Sequence, residues 1–205
     1  VEKGKGDGIY LTTCGIGELV MAAPPGAERI RCGDRVLVTG PVGDHGLTVL
    51  AARGELGLRL KLRSDCAPLH RLLAPLYALG PWLRFLRDAT RGGLAAVLHE
   101  AAAACRLTVE LEETAIPIRP AVKSASALLG LDPLYIANEG KAVLVVHPAA
   151  AARALRLLRR HPLGRGAALI GKITRAYPGQ VVVATVLGGQ RLLPAVSDVP
   201  LPRIC

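Results

Sequence analysis

The chain has 205 residues, 51% of them hydrophobic but only 3% aromatic, so it can bury a sizeable core, and that core is aliphatic. Lysine and arginine outnumber the acids by 26 to 16, giving a net charge of +10; the arginines are dispersed and few rings exist for stacking bases, which argues against nucleic acid as a partner. Five scattered cysteines (Cys14, Cys32, Cys66, Cys105 and Cys205) without a CxxC pair argue against a disulfide framework and against a zinc site, and they fit a reducing cytoplasm.

No basic segment followed by an apolar run opens the chain, and no run approaches about 18–20 uncharged apolar residues, so neither a signal peptide nor a membrane span is expected. The sequence begins at Val1 and its single Met is Met21, which reads as a fragment of a longer protein. Residues 2–8 are a glycine-rich loop carrying Lys3 and Lys5, and Ile9–Thr13 has strand composition. Pro24-Pro25-Gly26 marks a linker. One strand and a loop do not make a domain, so 1–24 reads as the severed end of a preceding one, with an exposed strand edge that favours association.

Arg35 to Gly40 follows as a short buried strand, and the loop 41–46, containing His45, leads into a helix from Leu47 to Arg53. Ser64-Asp65 offers caps before a helix over about 67–79. Arg84–Leu86 reads as a strand, 92–105 as a helix, and Val109 and Leu111 as part of a strand. A helix over Ala121–Leu129 starts just after Pro120. Ala142–Val146 is a near-continuous apolar strand, and Pro148–Arg160 a helix with a basic outer face. Strands are expected at Ala168–Ile173, Gln180–Leu187 and, after the Gly188-Gly189 turn, Gln190–Leu193. Mixed strands and helices over 29–193 predict one α/β sandwich domain.

Four places could carry chemistry. Asp88 and Thr90 stand before Arg91-Gly92-Gly93 and an apolar helix, where they could cap first-turn amides while the glycines admit an anion to the positive end of the helix. An ordinary capped helix has the same signature. Glu139, between Asn138 and Gly140-Lys141, is a carboxylate on a tight turn, suited to a general base; a solvated acid paired with Lys141 is the plain alternative. Lys3 and Lys5 could face a phosphate or an oxyanion. Cys205 stands at the end of Pro200-Leu201-Pro202-Arg203-Ile204-Cys205, where two prolines hold the chain extended. About twelve residues from Pro194 could reach roughly 40 Å at ~3.3–3.6 Å each, so a thiol there can be loaded at one place and processed at another. A frayed end that happens to finish in Cys reads the same way on its own.

These pieces together resemble one family. Glu-Lys-Gly-Lys-Gly-Asp-Gly at 2–8, Thr-Thr-Cys-Gly-Ile-Gly at 12–17, Gly-Asp-His-Gly at 43–46 and Ser-Asp-Cys-Ala-Pro-Leu at 64–69 belong to the set. So do Arg-Asp-Ala-Thr-Arg-Gly-Gly-Leu-Ala at 87–95, Ala-Asn-Glu-Gly-Lys at 137–141, His-Pro-Leu-Gly at 161–164 and Pro-Arg-Ile-Cys at 202–205. The set is similar to the HypE family of carbamoyl dehydratases of NiFe-hydrogenase maturation, within the superfamily of aminoimidazole ribonucleotide synthetase and selenophosphate synthetase. The resemblance implies an α/β (α+β sandwich) C-terminal domain at 25–193, preceded at 1–24 by the end of an ATP-binding N-terminal domain and followed at 194–205 by a mobile tail. It implies a homodimer that binds ATP and Mg²⁺ mostly through the N-terminal domain, with no metal site in this stretch. It implies a HypF-like carbamoyltransferase and a HypC–HypD complex as partners. The carbamoyl group would ride on Cys205 and be dehydrated to a thiocyanate. Glu139 would then be the base and Lys3 the electrostatic partner, with Lys5 as its alternative. Asn138, Asp88, Thr90, Arg91, Gly92 and His45 would support them. Residues 1–205 alone would be inactive and bind ATP weakly. Other readings are a different ATP-dependent synthetase of the superfamily, against which the terminal thiol speaks, and a docking fragment without catalysis.

Overall fold

The structure is a computed structural model that describes residues 12–54 and 61–195. Seven strands form one mixed sheet: β1 Arg35–Val38, β2 Leu83–Asp88, β3 Thr108–Glu112, β4 Ala142–Val146, β5 Ala168–Thr174, β6 Val181–Ala184 and β7 Gln190–Leu192. Five helices accompany it: α1 Asp44–Ala52, α2 His70–Leu73, α3 Gly93–Cys105, α4 Pro120–Leu129 and α5 Pro148–Arg159. The strand order is β2-β4-β1-β5-β3-β6-β7, antiparallel throughout except where β3 and β6 run parallel.

All five residues of β4 are buried and apolar. A strand without a polar face has to be covered on both sides. Successive side chains alternate faces. Val143 and Val145, with Val36 and Val38 of β1, pack against Leu94, Val97, Leu98 and Ala101 of α3. Leu144 and Val146, with Leu37 of β1, pack against Ala150, Ala154 and Leu158 of α5 and against Leu72, Leu76 and Leu79. The i, i+4, i+8 spacing of the α5 contacts is one helical face. A third, smaller cluster joins α1 to α4 through Leu47, Leu50, Val122, Ala125 and Ile136.

Several elements differ from the sequence reading, each for a local reason. The helix expected over 67–79 is only the single turn of α2, followed by a 3₁₀ stretch at Ala74–Trp82. Pro75 has no N–H to donate back along the turn, so the α-helix cannot continue past it. β2 is longer than expected and carries a bulge: Leu83 faces Val146 and Phe85 faces Val145, so Arg84 is the extra residue. That slip puts Leu83 in the α5-side cluster and Phe85 in the α3-side cluster, although a regular strand would point both the same way. β6 stops at Ala184, short of the expected Leu187, because Thr185 closes a turn onto Gly189 through its N–H at 2.8 Å. Asp44 and His45, expected in a loop, are the first turn of α1. Of the strand expected at Ile9–Thr13, Thr12 and Thr13 have no strand structure, and the rest lies outside the described residues.

Antiparallel pairing brings the ends that matter to one edge of the sheet. Val38, closing β1, pairs with Val143, and Asp88, closing β2, pairs with Ala142, which opens β4. The loops β1–α1 and β2–α3 and the segment before β4 therefore lie side by side.

Candidate functional site

Asn138 holds these three segments together. It is fully buried. Its Oδ1 accepts the Gly43 N–H at 2.8 Å, and its Nδ2 donates to Ala89 O at 2.9 Å and to Ile136 O at 3.1 Å. The Asn138 N–H also donates to Ala89 O, and the Ala89 N–H to Lys141 O. Gly46 N–H reaches Ala137 O at 3.1 Å. The 43–46, 88–93 and 137–141 motifs, far apart in the sequence, are thus one hydrogen-bonded unit. Neither α1 nor α3 has a side-chain cap at its N-terminus, and both of these N-termini open at this edge.

A second strap, 64–67, crosses over the turn that carries Glu139. Asp65 Oδ1 accepts the Glu139 N–H at 3.0 Å, and Asp65 Oδ2 lies 3.0 Å from Lys141 Nζ. The Asp65 and Lys141 side chains are 3% and 9% exposed. Ala67 N–H reaches Glu139 O at 3.4 Å. A Cβ on Gly140 would run into the Asp65 carbonyl, so only glycine lets the strap sit down. Ser64 Oγ lies 2.9 Å from His45 Nδ1 and accepts the Cys66 N–H at 3.1 Å. The Glu139 side chain is half-buried, and its carboxylate takes no hydrogen bond or ion pair from the described residues.

Asp44 lies at the base of the site, 1% exposed, with Arg119 Nε 3.0 Å from its Oδ2. Burial raises its carboxyl above the usual 3.8; the Arg119 and Lys141 charges pull it down without cancelling that effect.

The structure therefore brings Asn138, Glu139, His45 and the Asp88–Gly92 loop together. It alters three local expectations. Lys141 pairs with Asp65 and not with Glu139. Asp88 and Thr90 cap nothing with their side chains: Asp88 is the exposed last residue of β2, and Thr90 meets Gly93 through its backbone carbonyl. The missing Cβ of Gly93, at φ 62°, makes room for Leu134 O and Ile136 O, at 2.7 and 2.5 Å from where that atom would sit, and so serves packing between loops. Arg91 is exposed on the same loop, and Gly92 is buried. Lys3, Lys5 and Cys205 lie outside the described residues. Sequence reasoning missed Asp65, Lys141 and Asp44 as members of the site. All three fall inside motifs that it had singled out, but which charges meet is a matter of tertiary contact. Among the described residues, no group of three or more His, Cys, Asp or Glu side chains is arranged to hold a metal ion.

Residues 31–184 match the family described as AIR synthase related protein, C-terminal domain. The chain belongs to that family. Within the AIR synthase related proteins, it is 46% identical over 209 residues to carbamoyl dehydratase HypE of Rhodobacter capsulatus, and 45% identical over 205 residues to carbamoyl dehydratase HypE of Escherichia coli K12. Each alignment takes in 100% of this chain and 60% of the relative, so the chain spans about three-fifths of the length of the curated relatives it matches. Among solved structures, it superposes on hydrogenase maturation protein HypE with a TM-score of 0.86 at 42% identity, over 92% of this chain and 61% of the other. A HypE complex with ATP gives 0.82 at 43% identity over 88% and 55%, and a HypE–HypF complex gives 0.82 at 37% identity over 86% and 57%.

Proposed function

We propose that this chain is the C-terminal part of a HypE-type carbamoyl dehydratase that makes the cyanide ligands of NiFe-hydrogenase. The observation that carries the reading is the end-to-end likeness to HypE at 46% identity. The clustering of Asn138, Glu139, His45 and the Asp88–Gly92 loop supports it by giving the shared motifs one location. Residues 1–24 would close the ATP-binding N-terminal domain, 25–193 form the C-terminal domain, and 194–205 the tail.

In this reading, Cys205 accepts a carbamoyl group as an S-carboxamide from a HypF-like carbamoyltransferase. HypF as partner is supported by the solved HypE–HypF complex, and ATP by the HypE complex with ATP. The carboxamide oxygen attacks the γ-phosphorus of ATP, and ADP leaves. The O-phosphorylated intermediate loses two protons from nitrogen, its C–O bond breaks, and inorganic phosphate departs with the oxygen. The product is the thiocyanate on sulfur. An amide oxygen is a poor leaving group until it is phosphorylated, so the step needs a base near the nitrogen and positive charge near the oxygen and the phosphates. Glu139 is the base: its peptide is fixed on both sides by the strap, and its carboxylate is not spent on an ion pair within the described residues. Lys3 supplies the positive charge, with Lys5 as the alternative. Arg91 and the N-terminus of α3, which has no side-chain cap, add favourable potential at the same edge. ATP with Mg²⁺ is held mainly by the domain outside this chain, in a cytoplasmic homodimer, and the cyanide passes to a HypC–HypD complex.

Intact mass spectrometry of the full-length protein with carbamoyl phosphate, ATP and the transferase tests this. Carbamoylation adds about 43 Da at Cys205, and loss of water brings the increment to about 25 Da, as the covalent intermediates require. Glu139→Gln should accumulate the first mass and convert it to the second far more slowly than the wild type. Failure of both masses to appear on the wild-type protein overturns the function, and normal conversion by Glu139→Gln overturns the base.

A further inference from the structure

Glu139 is held by a residue far from it in the chain. Asp65 lies 74 positions away in the chain, yet one oxygen of its carboxylate takes the Glu139 N–H and the other meets Lys141 Nζ, each at 3.0 Å. The same strap bonds the Glu139 carbonyl through the Ala67 N–H. The N–H and the C=O of Glu139 are therefore both bonded to residues 65–67, at 3.0 and 3.4 Å. The Asp65 side chain is 3% exposed, and a charge-assisted bond to a carboxylate is stronger than a neutral one. Next to the strap, Ser64 and His45 form a further link at 2.9 Å, which ties the strap to α1.

We infer that Asp65 is the positioning residue for Glu139, orienting its carboxylate through the Glu139 N–H and through Lys141 without touching substrate itself. This rests on the reading of Glu139 as the base. A base acts only within hydrogen-bond reach of its proton, and a misplacement of about 1 Å can reduce a rate about 10²-fold. Asp65 is suited to the task because a single buried carboxylate fixes two points on one turn.

The test uses full-length protein, carbamoylated by its transferase, with single-turnover conversion of the first mass increment to the second as the readout. Asp65→Ala should slow the conversion about 10²-fold, with carbamoylation and ATP affinity unchanged. Asp65→Asn keeps an acceptor for the Glu139 N–H and should lose less. The decisive measurement is the double-mutant cycle with Glu139→Gln. If Asp65 acts through Glu139, Asp65→Ala adds almost nothing once Glu139 is Gln, because residues that work as a unit are not additive. A purely structural role would give the same proportional loss in both backgrounds, and that result overturns the inference. So does a normal rate for Asp65→Ala beside a slow Glu139→Gln, which leaves the assigned base standing. Normal conversion by Glu139→Gln is a different failure, that of the base assignment itself. Should Asp65→Ala not fold, Asp65→Asn carries the same cycle.

Discussion

The Asn138 side-chain oxygen accepts the backbone N–H of Gly43 at 2.8 Å, a bond between residues 95 positions apart that closes the β1–α1 loop onto the segment before β4. Its amide nitrogen serves two carbonyls, Ala89 O and Ile136 O. Every donor and acceptor direction of this buried amide that matters here is used in one sense only.

That asymmetry gives the first prediction. Asn138→Ala leaves one N–H and at least one carbonyl without a partner, at about 1–3 kcal/mol for each buried orphan. Asn138→Asp keeps the acceptor for Gly43 but turns an oxygen toward two carbonyl oxygens. The aspartate is therefore expected to be at least as destabilising as the alanine, although it is nearly the same shape. Urea unfolding of the two variants decides it, and an aspartate close to wild type would contradict the assigned orientation of the amide.

Lys141 and Asp65 form a buried ion pair at 3.0 Å. Removing one partner strands a charge, whereas removing both does not. Lys141→Met is expected to destabilise the protein by about 3–5 kcal/mol, and the double variant Asp65→Asn with Lys141→Met to recover most of that loss. Denaturant midpoints for the single and double variants measure the coupling, and equal losses in both would show the pair to be energetically idle.

Gly140 has no room for a Cβ against the Asp65 carbonyl. Gly140→Ala is therefore expected to lift the 64–67 strap from the turn. Amide hydrogen exchange reports this locally: the Glu139 and Ala67 amides, both bonded across the strap in the wild type, should lose protection while those of β4 keep theirs. Unchanged protection at both amides would mean that the strap does not depend on the glycine.

Asp44 is expected to make stability depend on pH. Burial raises its carboxyl above 3.8 against the opposing pull of Arg119 and Lys141, so the folded protein holds the Asp44 proton more tightly than the unfolded chain does. The stability gained from that proton is full below 3.8 and is lost as pH rises through the folded value. Asp44→Asn is expected to escape the loss, because the Arg119 side chain left behind is 60% exposed and hydrates freely. Calorimetry should find Tm higher than wild type at pH 7 and no gain at pH 3. A lower Tm at pH 7 would mean that the Arg119 pair outweighs the burial.

Local pattern was enough where one residue's surroundings follow from its neighbours in sequence. The near-continuous apolar run Ala142–Val146 marked a strand, Pro120 and Pro148 marked the starts of α4 and α5, and the glycine pair before Leu94 marked the start of α3. The same motifs, met as a set, pointed to the HypE-like family. Pattern failed where a distant contact or a missing donor decided the outcome: the bulge at Arg84, the 3₁₀ stretch after Pro75, the turn at Thr185.

The charges at the site show the same division. Adjacency in sequence made Lys141 the natural partner of Glu139, and the fold gives it to Asp65 instead. Residue types and spacing determine which chemistry a chain can hold and which elements carry it, because propensity and periodicity act over a few residues. Which carboxylate meets which ammonium, and which is left without one among the described residues, depends on loops brought together by antiparallel pairing at one edge of the sheet, and burial there makes each choice of partner matter by several kcal/mol.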